Sequence, residues 1–340
     1  MRIAITSPDA SGDLQIDGTP WEGFWNILQS LGHERVLLKE SPDVIVFNNY
    51  SNSLWKKYGK TLESSFLILI SWEPPENKSD NYKYSVLNKF GKKFYPAPIW
   101  AEEYLGEFFN WPQKLSNSFK YESDKDWEKR QDIFCFIQKN RWNLSNNSRY
   151  GLRRKVLSVE NSMIHIFGEG WNQGLIWDSF QAMKAIPKLF SESDSTLGNL
   201  VGLGEKFSNV FGPIEDKMKV MRSYKYSLII ENSSDYISEK LFDALLSGTV
   251  PVYVGSDLSK FDIPSEIVLS AQPNTISIHD SMRMMMQDKA LVFKMRKGIN
   301  QFICSQSFKQ FENKEVFKKI AISISRYLNS LAVALEIRSS

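Results

Sequence analysis

The chain has 340 residues, and its 42 lysines and arginines are nearly matched by 39 aspartates and glutamates, leaving a formal net charge of +3. So balanced a chain does not call for nucleic acid as a partner, and its length suffices for two domains with separate cores. Two cysteines, Cys135 and Cys304, exclude a disulfide-stapled fold, and no apolar stretch is long enough to span a bilayer.

An apolar strand is predicted over residues 2–6 with no leader-like segment before it, which together with the cysteine usage points to a reducing cytoplasm. Further strands are predicted at 36–38, 44–47, 66–70 and 94–95, alternating with amphipathic stretches such as 21–31. Residues 113–131 are polar and charged for most of their length and read as an interdomain linker. The alternation restarts with strands at 133–137 and 163–167, and Cys135 inside the first of these reads as a small core residue. The stretch 171–212 is far longer than a usual connection of about 4–6 residues. A helix interrupted by Pro187 is expected over 177–190, with an acceptor-shaping and a surface-packing role both open. Strands follow at 226–230, 250–254 and 267–269. The pattern predicts an α/β chain of two Rossmann-like domains, 1–126 and 127–316, with a helical tail over 317–340. In that tail Phe317, Ile320, Ile324, Leu328 and Leu331 recur at helical spacing. A helix crossing back over the first domain is one reading, and a peripheral membrane contact is the other.

The chemistry concentrates in residues 224–255. An apolar run ending at Ile230 reads as a strand buried on both faces, and residues 231–235 break it with turn and capping chemistry. A helix is predicted from Tyr236 or Ile237, burying Ile237, Leu241, Ala244 and Leu245 and stopping at Gly248. In an open α/β sheet, ligands bind beyond the carboxyl ends of the strands, where a helix N-terminus offers free N–H groups. Asn232, Tyr236, Glu239 and Lys240 fall in that place. Lys240 suits an oxyanion such as a phosphate, and Glu239 suits sugar hydroxyls. Taken singly, each is as well explained by an ordinary turn or a solvated helix face. Upstream, Glu73 follows the 66–70 strand between Trp72 and Pro74. A carboxylate in a partly apolar pocket suits proton acceptance near neutral pH, and a strand-end Glu capping a loop is the plainer reading. After the 133–137 strand, Arg149, Arg153, Arg154 and Lys155 cluster at the opening of a helix, either as anion contacts or as a solvated face.

In order, the parts YKY strand, I-E-N, short turn, Y-I-S-E-K, apolar helix and T-V-P-V-Y-V-G resemble the donor-binding signature of the α-1,3/4-fucosyltransferases, glycosyltransferase family 10. The Ser-Ser-Asp turn between Asn232 and Tyr236 departs from the family in being as short as or shorter than its usual turn. The resemblance implies a GT-B fold, two Rossmann-like domains facing across a cleft, and a soluble bacterial type, since animal and plant members carry a Golgi membrane anchor. It implies Glu73 as catalytic base, and Asn232, Tyr236, Glu239 and Lys240 as donor-binding residues. Arg149 is implied as a phosphate contact, with Arg141 and Arg153 as substitutes. Gly168-Glu169-Gly170 resembles the family's Y-G-R-C-G turn. The implied reaction is inverting transfer of L-fucose from GDP-β-L-fucose to a hydroxyl of an N-acetylglucosamine- or glucose-containing glycan, in bacterial surface polysaccharide or lipopolysaccharide synthesis. A transferase using another GDP-sugar and a catalytically silent nucleotide-sugar-binding protein are the alternatives. No cofactor and no obligatory metal are expected, because Asp124-Lys125-Asp126 lies in the charged stretch rather than after a strand, and His33, His165 and His279 are scattered. Protein cations would then neutralise the leaving diphosphate.

Overall fold

Uninterrupted apolar runs make the central strands, because a parallel sheet covered on both faces has no polar side to present. The computed structural model describes residues 1–7, 12–113, 122–143, 145, 147–159, 162–172, 174, 178–180, 182–183 and 206–339. The chain divides into two units, 1–115 with 309–340, and 116–308. The division thus falls at 115 rather than 126, and the tail joins the first unit from 309 rather than 317. Part of the expected linker is regular structure: residues Asp124–Glu128 are helical, and the Trp127 ring lies under the Lys225 and Arg296 cations at 4.9 and 4.3 Å. These contacts tie the segment to the second unit.

The first unit holds β1 (Arg2–Ile5), β2 (Glu34–Arg35), β3 (Val44–Asn48), β4 (Phe66–Ile70), β5 (Lys92–Tyr95) and β6 (Glu107–Phe108), all parallel in the order β2-β1-β3-β4-β5-β6. Its helices are α1 (Trp21–Ser30), α2 (Asn52–Ser64), α3 (Tyr84–Leu87), α4 (Pro98–Glu103) and the late helix α11 (Asn313–Ser339). The strand expected at 36–38 is displaced: Val36 and Leu38 are buried, but around a 3-10 turn over Leu38–Glu40. On one sheet face Ile3, Ile5, Val44, Val46, Ile68 and Ile70 pack against Trp21, Phe24 and Leu28 of α1 and against Phe317, Ile320, Ile324 and Leu328 of α11. On the other face Ala4, Ile45, Phe47, Leu67 and Leu69 are buried as well. The tail therefore covers the first unit's core. Among the described residues no helix is long and apolar enough to cross a membrane. Since Ile324 is wholly buried in the cluster that α1 and the sheet share, Ile324→Ala should lower unfolding free energy by about 2–5 kcal/mol in denaturant titration. An exposed α11 change such as Lys318→Ala should move it by no more than about 0.5 kcal/mol.

The second unit holds β7 (Gln131–Ile137), β8 (Ile164–Phe167), β9 (Val210–Gly212), β10 (Tyr224–Ile230), β11 (Val250–Val254) and β12 (Leu269–Ser270), parallel in the order β12-β11-β10-β7-β8-β9. Its helices are α5 (Asp124–Glu128), α6 (Tyr150–Val159), α7 (Lys217–Met221), α8 (Glu239–Ser247), α9 (Thr275–Gln287) and α10 (Lys289–Ile303). Every residue of β10 and β11 is buried. Cys135 is buried in β7, where burial pushes its thiol up to about 12, as befits a core residue. The strand expected at 267–269 is a 3-10 turn, Ser265–Ile267, followed by the short β12. Of the helix expected over 177–190, only 178–180 and 182–183 lie within the described residues.

Candidate active site

In the second unit the chain leaves β7 toward β8 on one side, while β10 pairs with β7 on the other. A sheet that reverses its strand order in this way opens a crevice at the carboxyl ends of the two central strands. Immediately beyond β10 stands Glu231, with no exposed surface. Its Oε1 accepts from the Ser238 backbone N–H at 2.9 Å, and its Oε2 from the Ser238 hydroxyl at 2.7 Å and the Lys240 ammonium at 3.4 Å. Lys240 Nζ also donates to Ser238 Oγ at 2.7 Å. This capture explains why α8 begins at Glu239 rather than at Tyr236 or Ile237. Ser238 is held extended (φ −113°, ψ −175°) and caps the helix, so Tyr236 and Ile237 are buried ahead of it.

The expected cations gather at the same edge. The Arg149 backbone N–H donates to the Asn232 carbonyl at 3.2 Å, which fixes the start of α6 beside the end of β10. Arg153 donates to Ile230 O at 2.6 Å and to Asn232 Oδ1 at 2.7 Å, with its guanidinium over the Tyr150 ring. Arg154 is wholly buried, lies over the Trp142 ring and donates to Arg141 O at 2.8 Å. Neither Arg153 nor Arg154 belongs to a solvated face, whereas Arg141 and Lys155 are exposed. Asn232, Tyr236, Glu239, Lys240 and Arg149 thus converge on one sheet edge.

Lys240 is 12% exposed. Burial works against its charge, but the carboxylates of Glu231 and then Glu239 outweigh it, so its pKa is raised. Burial acts against Glu239 too, and Lys240 and Lys217 overcome it, so its carboxyl stays below the usual value. A held ammonium at the N-terminus of α8 is an arrangement for an oxyanion.

Glu73 belongs to the first unit, three residues beyond β4. Asn77 Nδ2 donates to its Oε2 at 2.9 Å, and its backbone carbonyl accepts from the Tyr82 hydroxyl at 2.8 Å. The neighbour of the carboxylate is therefore an amide donor, while Trp72 turns into the core against Trp21, Phe109 and Phe317. A buried amide lattice supports this edge: Asn49 Oδ1 accepts from Trp72 N and Asn81 Nδ2, and Asn48 Oδ1 accepts from the Trp72 indole.

The family model described as glycosyltransferase family 10 (fucosyltransferase) C-term matches residues 203–291. Over that stretch the chain resembles glycosyltransferase family 10. The match holds Glu231, Asn232, Tyr236, Ser238, Glu239 and Lys240, while Arg149 and Glu73 lie outside it. A fucosyltransferase-like protein of Arabidopsis thaliana is 48% identical over 42 residues, 12% of this chain and 8% of that protein, so the match spans less than a tenth of the relative. Among solved structures, Anabaena Alr3699/HepE in complex with UDP-glucose aligns with a TM-score of 0.61 at 10% identity, over 96% of this chain and 100% of that one. An α1,3-fucosyltransferase aligns with a TM-score of 0.52 at 14% identity, over 95% and 90% of the two chains. At these identities the likeness is one of fold, and the two parallel-sheet α/β units are those of the GT-B glycosyltransferases. Reading the sequence alone missed Glu231 and Ser238 as parts of the constellation, while Arg153, named there as a substitute for Arg149, bonds Asn232. For Glu231 and Ser238 the signal was present, since both stand inside the signature segments I-E-N and Y-I-S-E-K.

Proposed function

We propose that the protein is an inverting glycosyltransferase that moves L-fucose from GDP-β-L-fucose to a hydroxyl of an N-acetylglucosamine- or glucose-containing glycan. The observation that carries this reading is the Glu231–Ser238–Lys240 cluster at the head of α8, inside the segment that matches the family. In the reaction the acceptor oxygen attacks the anomeric carbon, the bond from that carbon to the diphosphate oxygen breaks, and GDP leaves with the electron pair. Glu73 takes the acceptor proton. Lys240 and Arg149 meet the charge that develops on the leaving diphosphate, so no metal is called for. Asn232, Tyr236 and Glu239 hold the rest of the donor. A role in surface polysaccharide or lipopolysaccharide synthesis in the cytoplasm fits this chemistry.

The test is a panel of nucleotides and nucleotide sugars in excess EDTA, read by thermal shift and by turnover. GDP and GDP-fucose at about 100 times their dissociation constant should add roughly 2.7 kcal/mol of stability, and UDP-sugars should add none. A shift with UDP-sugars alone would overturn the donor. Stabilisation by GDP-mannose without GDP-fucose would select a different GDP-sugar, and turnover abolished by EDTA and restored by Mn²⁺ would overturn the metal-free chemistry.

A further inference from the structure

Gln138 is the first residue beyond β7, at the point where the strand order of the second unit reverses. Its backbone is fully committed: the N–H donates to Phe167 O at 3.1 Å, and the carbonyl accepts from the Trp171 indole at 2.8 Å. The next turn closes over it. Gly168 has φ +124°, and a Cβ there would stand 2.4 Å from the Gln138 carbonyl oxygen, so only glycine lets the β8 turn approach this closely. Gly170 does the same over Asn140, where a Cβ would meet the carbonyl oxygen at 2.6 Å. Asn140 Nδ2 bonds Gly170 O, and Arg154 bonds the Arg141 carbonyl, which pins the loop in place.

The side chain is treated differently. Gln138 is 6% exposed, yet neither Oε1 nor Nε2 has a hydrogen-bond partner among the described residues. An amide buried with both ends unmet destabilises the free protein, and an apolar residue of the same shape would serve packing better. Its place beside the β7–β10 crevice, one strand from Glu231 and Asn232, indicates what it waits for. A phosphate is the wrong partner, because a diphosphate at neutral pH only accepts and would leave Oε1 unmet. The other parts of a nucleotide sugar, the base edge and the sugar hydroxyls, offer a donor and an acceptor together.

We propose that Gln138 is a specificity-determining residue of the donor site, its carboxamide pairing at both ends with a donor-and-acceptor group of the nucleotide sugar. The assignment rests on the nucleotide-sugar reading above. Gln138→Met keeps the shape and removes both polar ends, and Gln138→Leu is the second variant; the better-folded of the two is used. Without ligand it should melt at or above the parent, while affinity by calorimetry falls about tenfold or more. Weakening of GDP itself places the contact on the nucleoside, and weakening of GDP-fucose alone places it on the transferred sugar. A variant that binds both as the parent does, or that melts several degrees below it, makes the amide a structural group and overturns the assignment. A parent that binds no nucleoside diphosphate overturns the donor reading and this one with it, so the two failures are distinct.

Discussion

Glu73→Gln is expected to lower transfer by about 10² to 10⁴, the usual contribution of a positioned general base, while melting temperature and GDP affinity stay at parental values. The geometry makes the substitution clean. The backbone of residue 73 is held by the Tyr82 hydroxyl, and Pro74 behind it is buried. Asn77 Nδ2 can donate to the glutamine carbonyl as it does to Oε2 of the carboxylate, so the side chain has reason to keep its orientation. What is lost is the capacity to accept a proton at the oxygen that Asn77 does not engage. Glu73 is half-buried, which leaves that oxygen open to an incoming hydroxyl. Turnover near the parent's on a confirmed acceptor would sink the assignment. Lost GDP affinity in the same variant would make Glu73 a support of the fold or of the donor.

The fold was legible where one physical cause dominated. Strands such as β4, β10 and β11 are buried on both faces, so composition alone marks them. The two-residue strands β2 and β6 carry Glu34, Arg35, Glu107 and Phe108, all exposed at sheet edges, and no apolar run announces them. The tail's helical stripe was legible too, because Phe317, Ile320, Ile324 and Leu328 meet a single face of the first sheet. The helix Asp124–Glu128 inside the expected linker was not, since Trp127 is held by cation contacts that come from residues about a hundred and more positions away.

At the site, residue types were legible and their partners were not. Arg153 and Arg154 follow Arg149 in a run that reads either as anion contacts or as a solvated face, and both are buried. Their burial depends on carbonyls of Ile230 and Arg141 and on the Asn232 amide, acceptors that only the folded loops bring near. The start of α8 was misplaced for the same reason. Local propensity allows a helix from Tyr236, but Glu231 takes the Ser238 N–H and hydroxyl and delays it.

Lys240→Ala tests that cluster on two readouts at once. With the ammonium gone, Glu231 keeps its two bonds from Ser238 but stands as a wholly buried carboxylate with no cation bonded to it, the Arg153 guanidinium acting on it only through its charge. Breaking a buried pair from one side costs about 3–5 kcal/mol, and the surviving bonds place this case near the lower end, roughly 3 kcal/mol. GDP binding should weaken as well, by about ten- to a hundredfold, because a charge-assisted hydrogen bond to a phosphate contributes about 1.5–3 kcal/mol. The two effects separate in the double variant Glu231→Gln with Lys240→Met. Neutralising both partners should restore most of the stability, since a buried pair is often no better than neutral groups of similar volume. GDP affinity should stay low, because nothing replaces the cation. Its recovery in the double variant would leave Lys240 a purely structural role. The pH dependence has a definite sign. A lysine whose folded pKa lies above the ordinary 10.5 contributes stability that is fully present below 10.5 and is lost as pH rises through the folded value. The stability gap between parent and Lys240→Ala should therefore be flat across neutral pH with respect to this group and close only in alkali. A gap that closed between pH 6 and 8 would mean that another group carries the interaction.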